Sequence, residues 1–210
     1  MRQLALFPLN LVVFPGEKLN LHIFEPRYRQ LVHDCLQDNS TFGIPPYING
    51  GVSMLGTEMR LLNIEKTYPS GEMDIRTRAV GLFRVREFFH ELPGKLYAGA
   101  TVEELPDDTA ADPALHQQTR RMIEQLYDIL NLRRLFLDLP ENFRAYDVAH
   151  HLGLNTEQEY ELLEATSELE RQQLMLAHLE HILPVLQETE HLKERVRLNG
   201  HFKNLTPPAF

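Results

Sequence analysis

Arginines clustered in one short segment are the first residues of this chain that could bind a ligand. They occupy alternate positions of two stretches that the pattern predicts as strands: Arg76, Arg78, Arg84 and Arg86. If the two strands pair across one face, the guanidinium groups line a shallow site for an anion or for RNA. The alternative is a solvated face on which Asp74 and Glu87 balance the charge.

The sequence motifs of nucleophilic and phosphate chemistry are absent from this chain. It contains neither the G-x-x-x-x-G-K-[ST] loop that cradles phosphates nor a G-x-G-x-x-G dinucleotide fingerprint. None of its four serines lies in a G-x-S-x-G elbow, and no lysine is placed to suggest a Ser–Lys pair. The residues therefore predict no catalytic residue and no cofactor, and the protein is not expected to be an enzyme.

The ten histidines of the chain are candidate ligands for a metal ion. His178 and His181 are three positions apart on a predicted helix and could share an ion. The segment H-L-E-H that they bound is one residue shorter than the H-x-x-E-H metalloprotease motif. Histidines on a polar helix face are usually solvated, so we predict no metal ligands.

Net charge and cysteine content restrict the partners and the compartment. The chain carries a net charge of −9, with 11 Lys and Arg against 12 Asp and Glu in residues 1–105 and 10 against 18 in residues 106–210. An acidic chain is repelled by phosphate backbones, so a nucleic-acid partner is not expected. Cys35 is the single cysteine and cannot form an internal disulfide. We therefore expect a cytoplasmic protein.

The elements that position these residues begin with a strand rather than with a signal peptide or a membrane anchor. The apolar run near the start is interrupted by Pro8 and is too short to span a membrane. One-sided spacing predicts a first strand over residues 9–13, and alternation predicts a second over residues 19–24. Pro26 then opens a helix with one apolar face, made of Tyr28, Leu31, Val32, Cys35 and Leu36.

The remainder of the chain divides into a strand-rich part and a helical part. Residues 41–105 show short alternating stretches separated by turns, which is typical of a barrel or a sandwich. Residues 106–113, PDDTAADP, are the clearest boundary, and helical periodicity dominates after them. Pro184 is expected to kink or restart the last helix. We predict a β-rich domain at 1–105, a helical domain at 114–200 and an extended tail at 201–210.

The stretch LFPLNLVVFPGEKLNLHIFEPRY at 6–28 closely resembles the start of the Lon protease N-terminal, substrate-binding domain, and is most similar to small bacterial proteins that consist of this domain only. Later landmarks, such as Gly81 followed by Phe83-Arg84-Val85, fall in the expected order. The resemblance implies an α+β fold: a PUA-like antiparallel β-pseudobarrel with an inserted helix, followed by a helical bundle. In full-length Lon proteases this region helps to recognise unfolded or tagged substrates, whereas ATP hydrolysis and cleavage belong to later domains.

The resemblance implies a protein that binds polypeptide segments or a protein partner and does not cleave them. An incompletely closed barrel exposes strand edges, which accept extended peptides. Within IFEPRY, the candidate binding residues are Glu25, Arg27 and Tyr28, whose alternative roles are to start the helix, to form an ion pair and to pack the core. The competing function is that of an RNA-binding PUA-like module, for which Arg76, Arg78, Arg84 and Arg86 would supply the charge.

Overall fold

The computed structural model describes residues 1–132, 134 and 139–201, in two compact units. The first unit comprises Met1–Thr109 and Gly153–Glu168, and the second comprises the described residues of Ala110–Leu152 and Leu169–Phe210. Apart from His201, the tail predicted at 201–210 lies outside the described residues.

The first unit is built around a sheet that closes on itself. Its strands are β1 (Arg2–Leu6), β2 (Lys18–Ile23), β3 (Phe42–Ile44), β4 (Tyr47–Ile48), β5 (Gly51–Val52), β6 (Leu55–Thr67), β7 (Met73–Phe89) and β8 (Gly99–Leu105). β4 and β5 form a separate hairpin, and the other strands lie in the order β2-β7-β6-β3-β1-β8. A further pairing of β7 with β8 closes every strand of this order except β2 into a barrel. The predicted α+β class is confirmed, although β1 and β3 pair in parallel rather than antiparallel.

Alternation along β7 sets which residues face the core and which face solvent. Ile75, Thr77 and Ala79 are buried, whereas Arg76 and Arg78 are exposed. Successive side chains of a strand point to opposite faces of a sheet, so this is the arrangement that the sequence predicted. The outward arginines are therefore positioned by the same alternation that buries the inward residues.

Helix α1 (Pro26–Asp38) covers the barrel core with its apolar face. Pro26 occupies the first turn, where its missing N–H breaks no helical hydrogen bond. The buried residues of this helix are those predicted from its spacing: Tyr28, Leu31, Val32 and Cys35. Leu36 is 50% exposed, so its predicted place on the buried face is wrong.

An acidic side chain ties α1 to the chain entering β8. The Asp34 carboxylate accepts hydrogen bonds from Lys95 Nζ at 2.9 Å and from the Tyr97 hydroxyl at 2.7 Å. The hydrogen bond from Lys95 is the main reason why the pKa of Asp34 lies below its ordinary value. Burial, followed by the hydrogen bond to Asp34, raises the pKa of Tyr97. The neutral phenol therefore donates to an ionised carboxylate, which fixes the helix against the sheet.

Replacing Gly56 by alanine is expected to destabilise the barrel. A Cβ at this position would lie 2.6 Å from Cζ of the buried Phe83 and 2.8 Å from the Pro45 Cα, a backbone atom that cannot move aside alone. We expect the Gly56→Ala variant to lose about 1–3 kcal/mol of unfolding free energy in urea denaturation. Gly81→Ala is the matched control, because a Cβ there meets no atom within 4 Å. An equal loss in both variants would contradict this explanation.

The second unit is helical over its described residues. It contains α2 (Pro113–Ile129), α3 (Ala145–Val148) with a 3₁₀ turn at Ala149–His151, and α5 (Glu168–His201) apart from its first residue. Its interior holds Arg171, which is 1% exposed and whose guanidinium lies 4.3 Å from the centre of the Tyr146 ring. Helix α5 continues through Pro184, so it does not restart at that residue; a kink there stays a prediction.

Residues 153–168 belong to the first unit, although they lie within the 114–200 segment that the sequence predicts as a helical domain. They contain α4 (Thr156–Glu164), whose first turn is capped reciprocally by Asn155 and Gln158. The Leu55 amide donates to the Tyr160 hydroxyl at 3.3 Å, and the Glu168 amide donates to the Asp108 carbonyl at 3.1 Å. Hydrogen bonds between residues so far apart in the chain leave no signal in the local residue pattern of the sequence. The domain boundaries expected from the sequence stay a prediction.

Candidate functional site

One edge of the sheet is open along β2. Lys18–Ile23 pairs with β7, and β2 stands at the end of the strand order, with no further strand beside it among the described residues. An unpaired edge presents a row of N–H and C=O groups to which another chain can add as a strand. The backbone groups of β2 that face away from β7 are therefore open to pairing with an extended polypeptide.

The alternation of the ladder shows which groups the open edge presents. Ala79 of β7 both accepts from the Gly16 amide and donates to the Glu17 carbonyl, so its backbone groups point towards the β2 side. Antiparallel pairing repeats every second residue. The same orientation therefore applies to Thr77, Ile75 and Met73. Their partners on β2, whose backbone N–H and C=O groups point towards β7, are Leu19, Leu21 and Ile23. The N–H and C=O groups of the alternate residues point to the open edge: Lys18, Asn20 and His22.

Three cations lie side by side on the outer face next to this edge. Lys18 of β2 is directly opposite Arg78 of β7, and Arg78 is directly opposite Arg60 of β6. All three residues are exposed. Within the part of the chain that the structure describes, no carboxylate oxygen lies within 4 Å of their charged groups. We call Lys18, Arg78 and Arg60 the basic row.

Other charged side chains on this face are matched by partners. Arg76 forms an ion pair with Glu65 at 2.5 Å. His22 Nδ1 lies 2.6 Å from Asp74, which also accepts a hydrogen bond from the Tyr68 hydroxyl at 2.8 Å. The hydrogen bond from His22 and then that from Tyr68 hold the pKa of Asp74 below its ordinary value. The basic row is therefore set apart from its neighbours by its uncompensated charge.

The arginine cluster predicted from the sequence is divided between two places. The two stretches expected to be paired strands are one continuous strand, β7, in which Gly81 lies next to a bulge. Arg84 is six positions beyond Arg78, about 20 Å along an extended chain. It lies opposite Glu103 of β8, and Arg86 Nε donates to the Glu103 carboxylate at 2.9 Å. The structure thus brings Arg78 together with Lys18 and Arg60, which sequence reasoning missed.

The candidates within IFEPRY form a linked group at the start of α1. Arg27 Nε donates to the Glu25 carboxylate at 2.8 Å, and the Arg27 guanidinium lies 4.5 Å from the centre of the Tyr28 ring. Tyr28 is 6% exposed and stacks on Phe7 with ring centroids 3.8 Å apart. Burial raises the pKa of its hydroxyl. The geometry supports the packing role of Tyr28, while Glu25 and Arg27 remain partly exposed, and contact of any of the three with a ligand stays a prediction.

A shallow cleft of about 490 Å³ lies beside the β4–β5 hairpin. Its lining residues are Tyr47, Gly50, Gly51, Val52, Ser53, Met54, Val85, Phe88 and His90. Asn49 and Gly50 both have positive φ, the turn that a two-residue hairpin requires, and the Tyr47 hydroxyl donates to the Gly50 carbonyl at 2.9 Å. The Asn-Gly pair marks the hairpin in the sequence, but only the fold brings Val85 and Phe88 to it.

Residues 1–132, 134 and 139–201 contain neither a cluster of metal-ligating side chains nor a membrane-spanning helix. In this part of the chain, no group of three or more His, Cys, Asp or Glu is placed to hold a metal ion. His178 Nε2 lies 3.0 Å from the Leu152 carbonyl, a hydrogen-bonding distance. No helix among these residues is long and apolar enough to cross a membrane.

Comparison with known proteins gives one family and several structures. The family model of the ATP-dependent protease La (LON) substrate-binding domain matches residues 3–181. The crystal structure of a Lon N-terminal domain protein from Xanthomonas campestris is similar, with a TM-score of 0.66 and 26% identity over 84% of this chain and 98% of that chain. The N-terminal domain of a Mycobacterium avium complex Lon protease shares the fold, with a TM-score of 0.65 and 15% identity over 85% and 98%. No curated protein matches this chain.

Proposed function

This chain belongs to the family of ATP-dependent protease La (LON) substrate-binding domains, and on that premise we propose that it binds extended polypeptide segments of other proteins at the open edge of β2. A bound segment adds to the sheet as a further strand beside β2. The protein acts as a binding module in the cytoplasm. Its free, buried Cys35 is suited to that reducing compartment.

The open edge of β2 is the observation that carries this proposal. Lys18, Asn20 and His22 offer their backbone groups to a partner. Main-chain hydrogen bonds give such strand addition affinity for many sequences, because every residue except proline has the same N–H and C=O groups. Recognition of unfolded segments needs this tolerance, since unfolded proteins share a backbone and not a sequence.

Binding without bond cleavage is part of the proposal. The matched family is a substrate-binding domain, and the match covers residues 3–181 of this chain. The sequence has no P-loop and no serine in a nucleophile elbow. We therefore infer that the protein holds a polypeptide and that any cleavage is performed by another protein.

Hydrogen exchange tests this function directly. The probes are two peptides of about ten residues, enough to cover a strand, in which valine alternates with glutamate in one and with glutamine in the other. A bound peptide should slow amide exchange at Lys18, Asn20 and His22, because their N–H groups become hydrogen-bonded. Protection that is absent with both peptides, or confined to the Tyr47–Met54 cleft, would refute binding at this edge.

A further inference from the structure

We propose that the basic row makes the open edge selective for acidic polypeptide segments. This inference rests on the proposed function, since it names the class of polypeptide that the same edge binds. The preferred ligand is an extended segment that carries Glu or Asp on the residues facing solvent and apolar side chains on the residues facing the core.

The uncompensated charge of the row is the first argument. Like charges that are directly opposite on neighbouring strands repel each other, and Arg78 has such a neighbour on both sides, in Lys18 and Arg60. The chain has 30 Asp and Glu against 21 Lys and Arg, yet no carboxylate of the described residues lies within 4 Å of the row. An arriving carboxylate relieves this repulsion, so an anionic ligand is bound more strongly than a neutral one of the same shape.

The position of the row beside the open edge is the second argument. A strand added to β2 lies about 4.8 Å away, and its outward side chains come about 4.5–5.5 Å from those of the residues opposite. Lys18 is therefore the direct neighbour of one outward side chain of the ligand. Arg78 is one strand further, within reach of its long side chain. An acidic residue at this register contacts the row while the ligand backbone pairs with β2.

The inner face of the added strand sets the other half of the pattern. Leu19 and Leu21 of β2 are partly buried and pack against the barrel core. A side chain of the ligand that points the same way meets these leucines, so an apolar residue is favoured there. The alternation of acidic and apolar residues in the ligand follows from the two faces of β2.

A polypeptide is favoured over a nucleic acid as the source of the negative charge. The row lies on the outer face of a sheet whose adjacent edge offers backbone hydrogen bonds, which an extended peptide can use and a phosphate backbone cannot. The net charge of −9 repels a polyphosphate over its whole length, whereas a short acidic segment meets mainly the local field of the row.

Fluorescence anisotropy with the glutamate and glutamine peptides tests the inference on the full chain. We expect the glutamate peptide to bind about tenfold more tightly at low ionic strength, with a difference that shrinks as salt is added. The Lys18→Gln, Arg78→Gln double variant should lose this preference and bind the two peptides with about equal affinity. Arg86→Gln is the matched control, because Arg86 is exposed on the same strand but paired with Glu103. Arg60→Gln gives a second, independent variant.

Stability measurements separate selection from a structural role. Removal of repelling charges should leave the thermal midpoint of the double variant unchanged or raise it.

Equal affinity of the original protein for the two peptides would overturn the inference and leave edge binding intact, whereas binding of neither peptide would overturn both proposals. An RNA oligonucleotide that displaces the glutamate peptide would assign the row to phosphates. A salt-sensitive dimer in sedimentation, lost in Arg78→Gln, would assign it to the acidic surface of a second copy; either result overturns the inference.

Discussion

Replacing Tyr28 by alanine is expected to lower the free energy of unfolding by about 3–5 kcal/mol, the range for deletion of a large buried aromatic side chain. Tyr28 is 6% exposed, belongs to the core cluster between α1 and the sheet, and stacks on Phe7 at 3.8 Å. Its removal leaves a cavity against the rigid sheet and also forfeits the aromatic contact. Urea denaturation followed by circular dichroism measures the loss.

Tyr28→Phe is the matched control for this prediction. It retains the ring and the stacking on Phe7, so we expect a loss of less than about 1 kcal/mol and unchanged peptide affinity. This comparison decides between the two roles that the IFEPRY motif allows. If Tyr28→Ala stayed as stable as the original protein but no longer bound peptide, Tyr28 would be a ligand contact and not a core residue.

β2, the early part of β7 and α1 could be predicted because each has one face in the core. That burial leaves local patterns in the sequence. It produces the alternation over β2 and the early part of β7, and it produces the helical spacing of Tyr28, Leu31 and Val32. The sequence therefore contains enough information to predict a strand-rich part with one early helix. The resemblance at residues 6–28 supplied the family, which the match over residues 3–181 confirms.

The strand predicted over residues 9–13 is wrong for a physical reason. The structure places β1 earlier, at Arg2–Leu6, and Val12, Val13 and Phe14 are all buried in succession. Consecutive burial means that this segment is surrounded by the protein and has no solvent-facing side. A segment of this kind shows no alternation to be recognised, and the one-sided spacing of Leu9, Leu11 and Val13 was fortuitous.

The basic row could not be predicted from the sequence, because strand register depends on the whole fold. Arg78 was a candidate through its local arginine neighbours, but Arg60 and Lys18 come from separate strands. Arg84 would join Arg78 in one site only if their two stretches paired with each other. In the structure both stretches belong to β7, with Val80 as the extra residue of a bulge, and a bulge continues a strand while shifting its pairing.

Replacing Asn20 by proline is expected to weaken peptide binding about tenfold while leaving the fold intact. The Asn20 N–H points to the open edge, so its loss breaks no bond to β7, and proline is tolerated at such edge positions. The bound strand loses one ladder hydrogen bond, worth about 0.5–1.5 kcal/mol, and its backbone clashes with the proline ring. Fluorescence anisotropy with the glutamate peptide measures the change.

Asn20→Ala is the matched control, because it removes the side chain and keeps the N–H, and we expect its affinity to remain within about twofold of the original. Peptide chemistry gives a readout that does not depend on the stability of the proline variant. N-methylation of the peptide amides that face β2 should abolish binding, whereas N-methylation of the alternate amides should have little effect, because only one set of N–H groups pairs with a given edge. Equal tolerance of both methylation patterns would show that the polypeptide binds through its side chains alone, and strand addition at β2 would then be wrong.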